Sequence, residues 1–215
     1  MAFAPQVYDS TTVFLWIDSS VSKIATDLFP NTAVKRTIHQ DSPVLGQTFQ
    51  QRYRRTAIIE DAAMRFDMTI VIQDHALRQA LYHTWVQKMG QQAYFWLPSY
   101  SPDFKVTSVA GSPPFSTQIN CTYTGDDYAW ALDYKKMHIA LWADGDLTSY
   151  PTFHEVIDFD NTYIEVDGTV APTTNAVIMR LYYVKFLSDN FKVSITNNNQ
   201  QQIDFSFIED YERTP

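Results

Sequence analysis

At 215 residues the chain suffices for one large or two small domains, and its 45% hydrophobic content can fill a real core. A single cysteine, Cys121, excludes an intrachain disulfide, and no apolar run approaches the ~20 residues needed to span a bilayer. The net charge of −8 is unevenly spread: residues 1–98 carry nine Lys/Arg against eight Asp/Glu, whereas residues 99–180 carry four against eleven. An acidic middle segment disfavours phosphate contacts, so neither nucleic acid nor a membrane is an expected partner.

The opening residues, Met1–Pro5, lack a basic and an apolar leader segment, so no signal peptide is expected. Strands are predicted around residues 12–17, 49–59 and 63–72. The last is the best patterned, with Met64, Phe66, Met68, Ile70 and Ile72 alternating with Arg65, Asp67, Thr69 and Val71. Residues 18–41 have little periodicity and read as a long loop, of the kind that often contacts a neighbour.

Residues 74–89 give one strong helix signal. Leu77, Leu81, Trp85 and Met89 recur every four residues, Asp74 can cap the first turn, and Gly90 can take the left-handed conformation past the end. Residues 93–98 then read as a buried aromatic strand stopped by Pro98.

From residue 99 the texture changes to short strands with turn punctuation, at residues 104–109, 117–123, 138–142, 153–159 and 162–166. That rhythm predicts an acidic, five-stranded small β-barrel-like module over residues 99–180. Longer strands return at residues 180–187, 191–196 and 201–209, with Asn197-Asn198-Asn199 as a hairpin tip. These are suited to pair with the first segment. The expected fold is therefore mainly β (α+β): a β-sandwich or split-barrel domain from residues 1–98 and 181–215 with one packed helix, and an inserted small β domain at 99–180.

Catalytic patterns are scarce. The five histidines show no spacing that brings two to one helical face with a carboxylate between, and the aspartate-rich turns lack the ligand spacing of a calcium loop, so no metal is expected. There is no Gly-x-Ser-x-Gly elbow and no glycine-rich phosphate loop, so neither a cofactor nor an enzymatic activity is expected. Glu155 with Asp158, or Glu165 with Asp167, are the carboxylate pairs nearest to a hydrolase pattern, and an exposed strand face explains them more cheaply. Trp130 and Trp142 are candidate glycan-stacking residues under an alternative reading, a carbohydrate- or receptor-binding β module of a virion.

Three local patterns resemble the tail structural proteins of long-tailed, siphophage-like bacteriophages, in the distal tail or baseplate-ring class. The first is the Arg-bearing strand Gly46–Arg55 leading through Phe66–Ile72 into the helix. The second is Tyr94-Phe95-Trp96-Leu97-Pro98 followed at once by the small β module. The third is the exit over residues 179–190, where Leu187-Ser188-Asp189 precedes a hairpin ending in Phe205-Ser206-Phe207-Ile208-Glu209. The resemblance covers most of the chain. The family often carries a Glu shortly before the Arg of the first pattern, where this chain has Gln50 and Gln51.

The resemblance implies a structural role in the virion tail, assembled in the host cytoplasm. Copies would form a ring, commonly six-fold, joining the tail tube protein to the baseplate hub or tip proteins. The β-plus-helix domain would make the ring and the inserted module would project outward. Arg52, Arg54 and Arg55 are candidate ring-lining or interface charges, with a solvated strand face as the other reading, and Asn198 is a candidate contact at the hairpin tip.

Overall fold

The structure is a computed structural model that describes residues 3–26, 29–30, 35–40, 62–88, 93–109, 115–124, 137–160, 162–187, 191, 193–195 and 200–209. Within these residues the protein is mainly β with one helix, in agreement with the sequence. The strands are β1 (Phe3–Tyr8), β2 (Thr11–Asp18), β3 (Lys23–Ile24), β4 (Lys35–Gln40) and β5 (Ala62–Ile72), followed by α1 (His75–Gln87). Then come β6 (Phe95–Pro98), β7 (Phe104–Val109), β8 (Ser116–Tyr123), β9 (Met137–Trp142), β10 (Thr152–Phe159) and β11 (Tyr163–Asp167). The chain finishes with β12 (Val177–Phe186), β13 (Val193–Ile195) and β14 (Gln201–Glu209).

Local chemistry explains the best-formed elements. The Asp74 carboxylate accepts from the Ala76 and Leu77 backbone N–H groups at 2.7 and 3.3 Å, as an N-cap should. Leu77 and Leu81 are buried and Trp85 packs beside them, whereas Met89 and Gly90 lie outside the described residues. In β5, Phe66, Met68, Ile70 and Ile72 are buried, as their alternation demands. Asp9 and Ser10 both have positive φ, which makes the β1–β2 loop a two-residue turn whose twist suits a hairpin. The segment read as a long loop at residues 18–41 contains two strands, β3 and β4, and β4 pairs with β5. The strand expected at residues 49–59 lies outside the described residues.

The main sheet runs β1-β2-β6-β12-β14-β5-β4. It is antiparallel except where β2 and β6 meet in parallel at Val13 and Trp96. Both ends of the chain build it, since β5 pairs with β14 from Ile72↔Gln201 to Arg65↔Ile208. The middle strands form a second system. β7, β8, β11, β10 and β9 pair in that order, and β12 joins β7 on one edge and β9 on the other, which closes a six-stranded antiparallel barrel.

Strand β12 therefore belongs to both systems. Its first half completes the barrel, and from Leu181 onward its edges pass to β6 and then β14. The expected boundary between residues 180 and 181 falls inside this continuous strand. The crossing is held by Asp103, which is fully buried and accepts the Arg180 backbone N–H at 2.7 Å while its own N–H donates to Ile178 O at 2.9 Å. The Arg180 guanidinium lies 4.8 Å from the centre of the Tyr182 ring.

Three cores result. One lies between α1 and the main sheet and includes Phe14, Trp16, Phe66, Phe95, Phe186, Phe205 and Phe207. A second fills the barrel with Val106, Ile119, Ile139, Leu141, Ile164, Val166 and Ile178. The third joins the two systems: Val13 and Leu15 of β2, Trp96 of β6 and Met179 and Leu181 of β12 pack on Ala140 and Trp142 of β9. The order of layers is helix, sheet, barrel.

Candidate functional site

Arg52, Arg54, Arg55, Asn198 and Trp130 lie outside the described residues. Trp142 is described and is fully buried, with its indole N–H donating to Ser149 O at 3.1 Å. It faces the third core, away from the barrel interior, because the main sheet covers that wall. A ring with no accessible face cannot stack on a sugar, which corrects the expectation for Trp142. Cys121 is a buried strand residue whose thiol burial pushes up to about 11, so it is a poor nucleophile.

The seam between sheet and barrel holds a polar contact that no motif announced. The Tyr8 hydroxyl lies 2.9 Å from His138 Nδ1, and the two residues stand 130 positions apart. His138 is buried, and its ring centre lies 4.6 Å from that of Trp96. Burial, followed by the charges of Asp167, Glu155 and Asp9, pushes the Tyr8 hydroxyl above its ordinary value, so it keeps its proton. Nearby, His154 meets Asp167 O at 2.8 Å and Thr152 Oγ1 at 2.9 Å. These groups fasten strands together.

Among the described residues, the barrel strands β10 and β11 carry a cluster of carboxylates. Asp158 of β10 stands directly opposite Glu165 of β11, and Asp167 points the same way two residues along. The span 152–167 contains Glu155, Asp158, Asp160, Glu165 and Asp167 and no Lys or Arg. Hydroxyl groups satisfy part of this charge. Tyr163 donates to Asp158 at 2.8 Å, Ser116 donates to Glu165, and Thr162 donates to Asp160 at 2.7 Å. The Asp158 hydrogen bond, with neighbouring carboxylates behind it, raises the Tyr163 hydroxyl above its ordinary value. The hydrogen bonds from Thr162 hold Asp160 below the usual carboxylate range. Asp158 and Glu165 thus face each other across the ladder, and each carboxylate is met by a hydroxyl of its own. Among the described residues no group of three His, Cys, Asp or Glu side chains is placed to hold a metal ion.

Helix α1 carries few charges. Its sequence, His75 to Gln87, contains Arg78, two histidines and no carboxylate, and Lys88, which follows directly, continues the buried stripe of Leu77, Leu81 and Thr84, where burial lowers its ammonium below the ordinary value. Tyr82 and Val86, one turn apart, are 48% and 45% exposed. The Tyr82 ring meets Phe191 edge-on at 5.5 Å, and Trp85 lies 5.7 Å from Phe191. A cavity of about 320 Å³ opens beside the start of this helix, lined by Ile72, Gln73, Asp74, His75, Ile195 and Gln201. Sequence periodicity assigned the buried stripe of α1 but gave no reason to single out its outer face.

No helix among the described residues is long and apolar enough to cross a membrane. No family model and no curated protein matches the chain.

Proposed function

We propose that this chain is a structural protein of a bacteriophage tail, forming a ring at the distal tail or baseplate that joins the tail tube to the tip. Its partners are copies of itself, the tail tube protein and the baseplate hub or tip proteins. Its place is the virion tail, after assembly in the host cytoplasm. It works by contact and needs no catalytic group.

The observation that supports this reading is that the main sheet, among the described residues, ends in unlike strands. Among the described residues β1 pairs only with β2 and β4 only with β5, so the sheet ends in two unlike edge strands at opposite sides. Edge strands with free N–H and C=O groups are ready contact elements between subunits. Two different edges on one body suit a heterologous contact, in which each copy offers one face and receives another. The shared core at Trp96 and Trp142 supports the same role, because it packs barrel and sheet directly against each other.

Negative-stain imaging of virions carrying a gold-labelled C-terminus tests the proposal. Label confined to the distal tail is the expected result. Label on the capsid, or virions without label, would reject it.

A further inference from the structure

The β1–β2 turn has a twist that suits its hairpin but a residue that does not suit the turn. Tyr8 stands opposite Thr11, so Asp9 and Ser10 alone make the loop, at φ 45° and 58°. Asp accepts the left-handed region because its short side chain can bond locally, but the second position of such a turn calls for glycine. Ser10 has a Cβ that crowds the backbone there. Both residues are exposed, and straightening the loop returns them to negative φ. Strand β1 itself is lightly held: none of its six residues is fully buried, and a register shift between Pro5 and Gln6 interrupts its ladder. What it supplies sits at its ends. Phe3 packs into the helix-side core, and Tyr8 bonds His138 and lies 5.6 Å from the Trp96 ring and 5.4 Å from that of Phe153.

We propose that β1 is exchanged between copies: the loop at Asp9-Ser10 opens, and residues 3–8 of one copy fill the place along β2 of the next. This rests on the ring reading above and names the link that holds neighbouring copies at the β1 edge of the sheet. The place along β2 takes a strand with a ring at position 3 for the helix-side core and a phenol at position 8 for the seam. A second copy carries that segment in the same order, so every contact of β1 is kept. The exchanged and closed forms then differ only at the turn and at surface newly brought together by the hinge. Short hinge loops under strain favour such exchange. With the loop straightened, β1 and β2 become one extended segment, residues 3–18, shared by two bodies. A two-residue hinge spans about 7 Å when extended, so it holds those bodies side by side. Donor strand and acceptor edge are different surfaces, so the exchange runs head-to-tail and can close into a ring.

Disulfide trapping in the full chain tests this. Val7 and Thr12 stand opposite each other and Val7 is 61% exposed, so the double variant Val7→Cys with Thr12→Cys can bridge β1 to β2 with little loss of packing. The variant is assembled under reducing conditions, oxidised, and run on a non-reducing denaturing gel. Both single variants and wild type, whose Cys121 is buried, run beside it. Exchange predicts covalent multimers from the double variant, larger than the dimers that one exposed cysteine can form. By sedimentation velocity, Ser10→Gly, which suits the closed turn, should weaken assembly about tenfold, the size of relief at one left-handed residue. Ser10→Pro cannot take positive φ and should strengthen it. Circular dichroism confirms that each variant folds, and if Ser10→Pro does not, the gel and Ser10→Gly decide. If oligomers form and every bridge closes within one chain, the exchange is wrong while the ring reading stands. An assembly that Ser10→Gly strengthens contradicts the exchange in the same way. If wild type stays monomeric throughout, the ring reading itself fails, and the exchange with it.

Discussion

The two packed systems of this protein fill their interiors with different chemistry. The helix-side core is built on rings, with Phe14 lying 5.5 Å from Phe207 and Phe95 4.8 Å from Phe186. The barrel core is aliphatic and β-branched, with Phe104 as the one buried ring among its described residues. Geometry accounts for the contrast. A closed barrel of six strands leaves a narrow interior that Val, Ile and Leu fill in layers, whereas a helix laid on an open sheet leaves wider gaps that large rings can bridge. The outer surfaces differ too: the barrel wall is acidic and the helix face carries none of that charge. One strand, β12, nonetheless runs through both.

The largest effect should come from the seam. Trp96→Ala removes a fully buried ring shared by sheet and barrel and should cost about 3–5 kcal/mol. Both systems should then melt together in one calorimetric transition. Trp96→Phe should be much milder, because the Trp96 indole N–H meets no acceptor among the described residues. If the barrel melts on its own in Trp96→Ala, the joint core is weaker than described.

Within the barrel, Ile164→Ala should cost about 2–5 kcal/mol in denaturant titrations. Gly145→Ala is smaller, about 1–3 kcal/mol. Gly145 has φ +83°, and a Cβ there would come 2.3 Å from Asn175 O, so the backbone of the Asp144–Asp146 turn must shift.

The smallest effect is a pH dependence in the main sheet. Burial pushes the Asp67 carboxyl up, but hydrogen bonds from Ser206 and Arg65 and the charges of Arg65 and Lys35 outweigh it, so its value is lowered. A carboxyl lowered on folding stabilises above its unfolded value of about 3.9, and that contribution fades as pH falls through the folded value. Asp67→Asn should thus lower the melting temperature at pH 7 and match wild type at the acid end. An equal gap at both pH values would show that Asp67 acts through shape alone.

The sequence made the helix, its Asp74 cap, the alternation of β5 and the five barrel strands legible, because each carries a local period. It hid β1 and β4. β1 contains Pro5, and β4 is mostly polar, Lys-Arg-Thr-Ile-His-Gln, so neither shows an apolar alternation in the sequence. Trp142 misled for a related reason. Every residue of β9 is buried because one face lines the barrel and the other meets the sheet, and a fully apolar run does not say what covers it. The Tyr8–His138 contact joins positions far apart in the chain, so it belongs to tertiary structure alone. The cross-strand acids were visible as residues, but the sequence pairs Glu155 with Asp158, whereas the register sets Asp158 against Glu165.

The most direct test of the account is the mass distribution of the purified full chain by mass photometry at low salt. A single closed oligomer of fixed size, unchanged as concentration rises, is the expected result. A population that stays monomeric at every concentration would contradict the account.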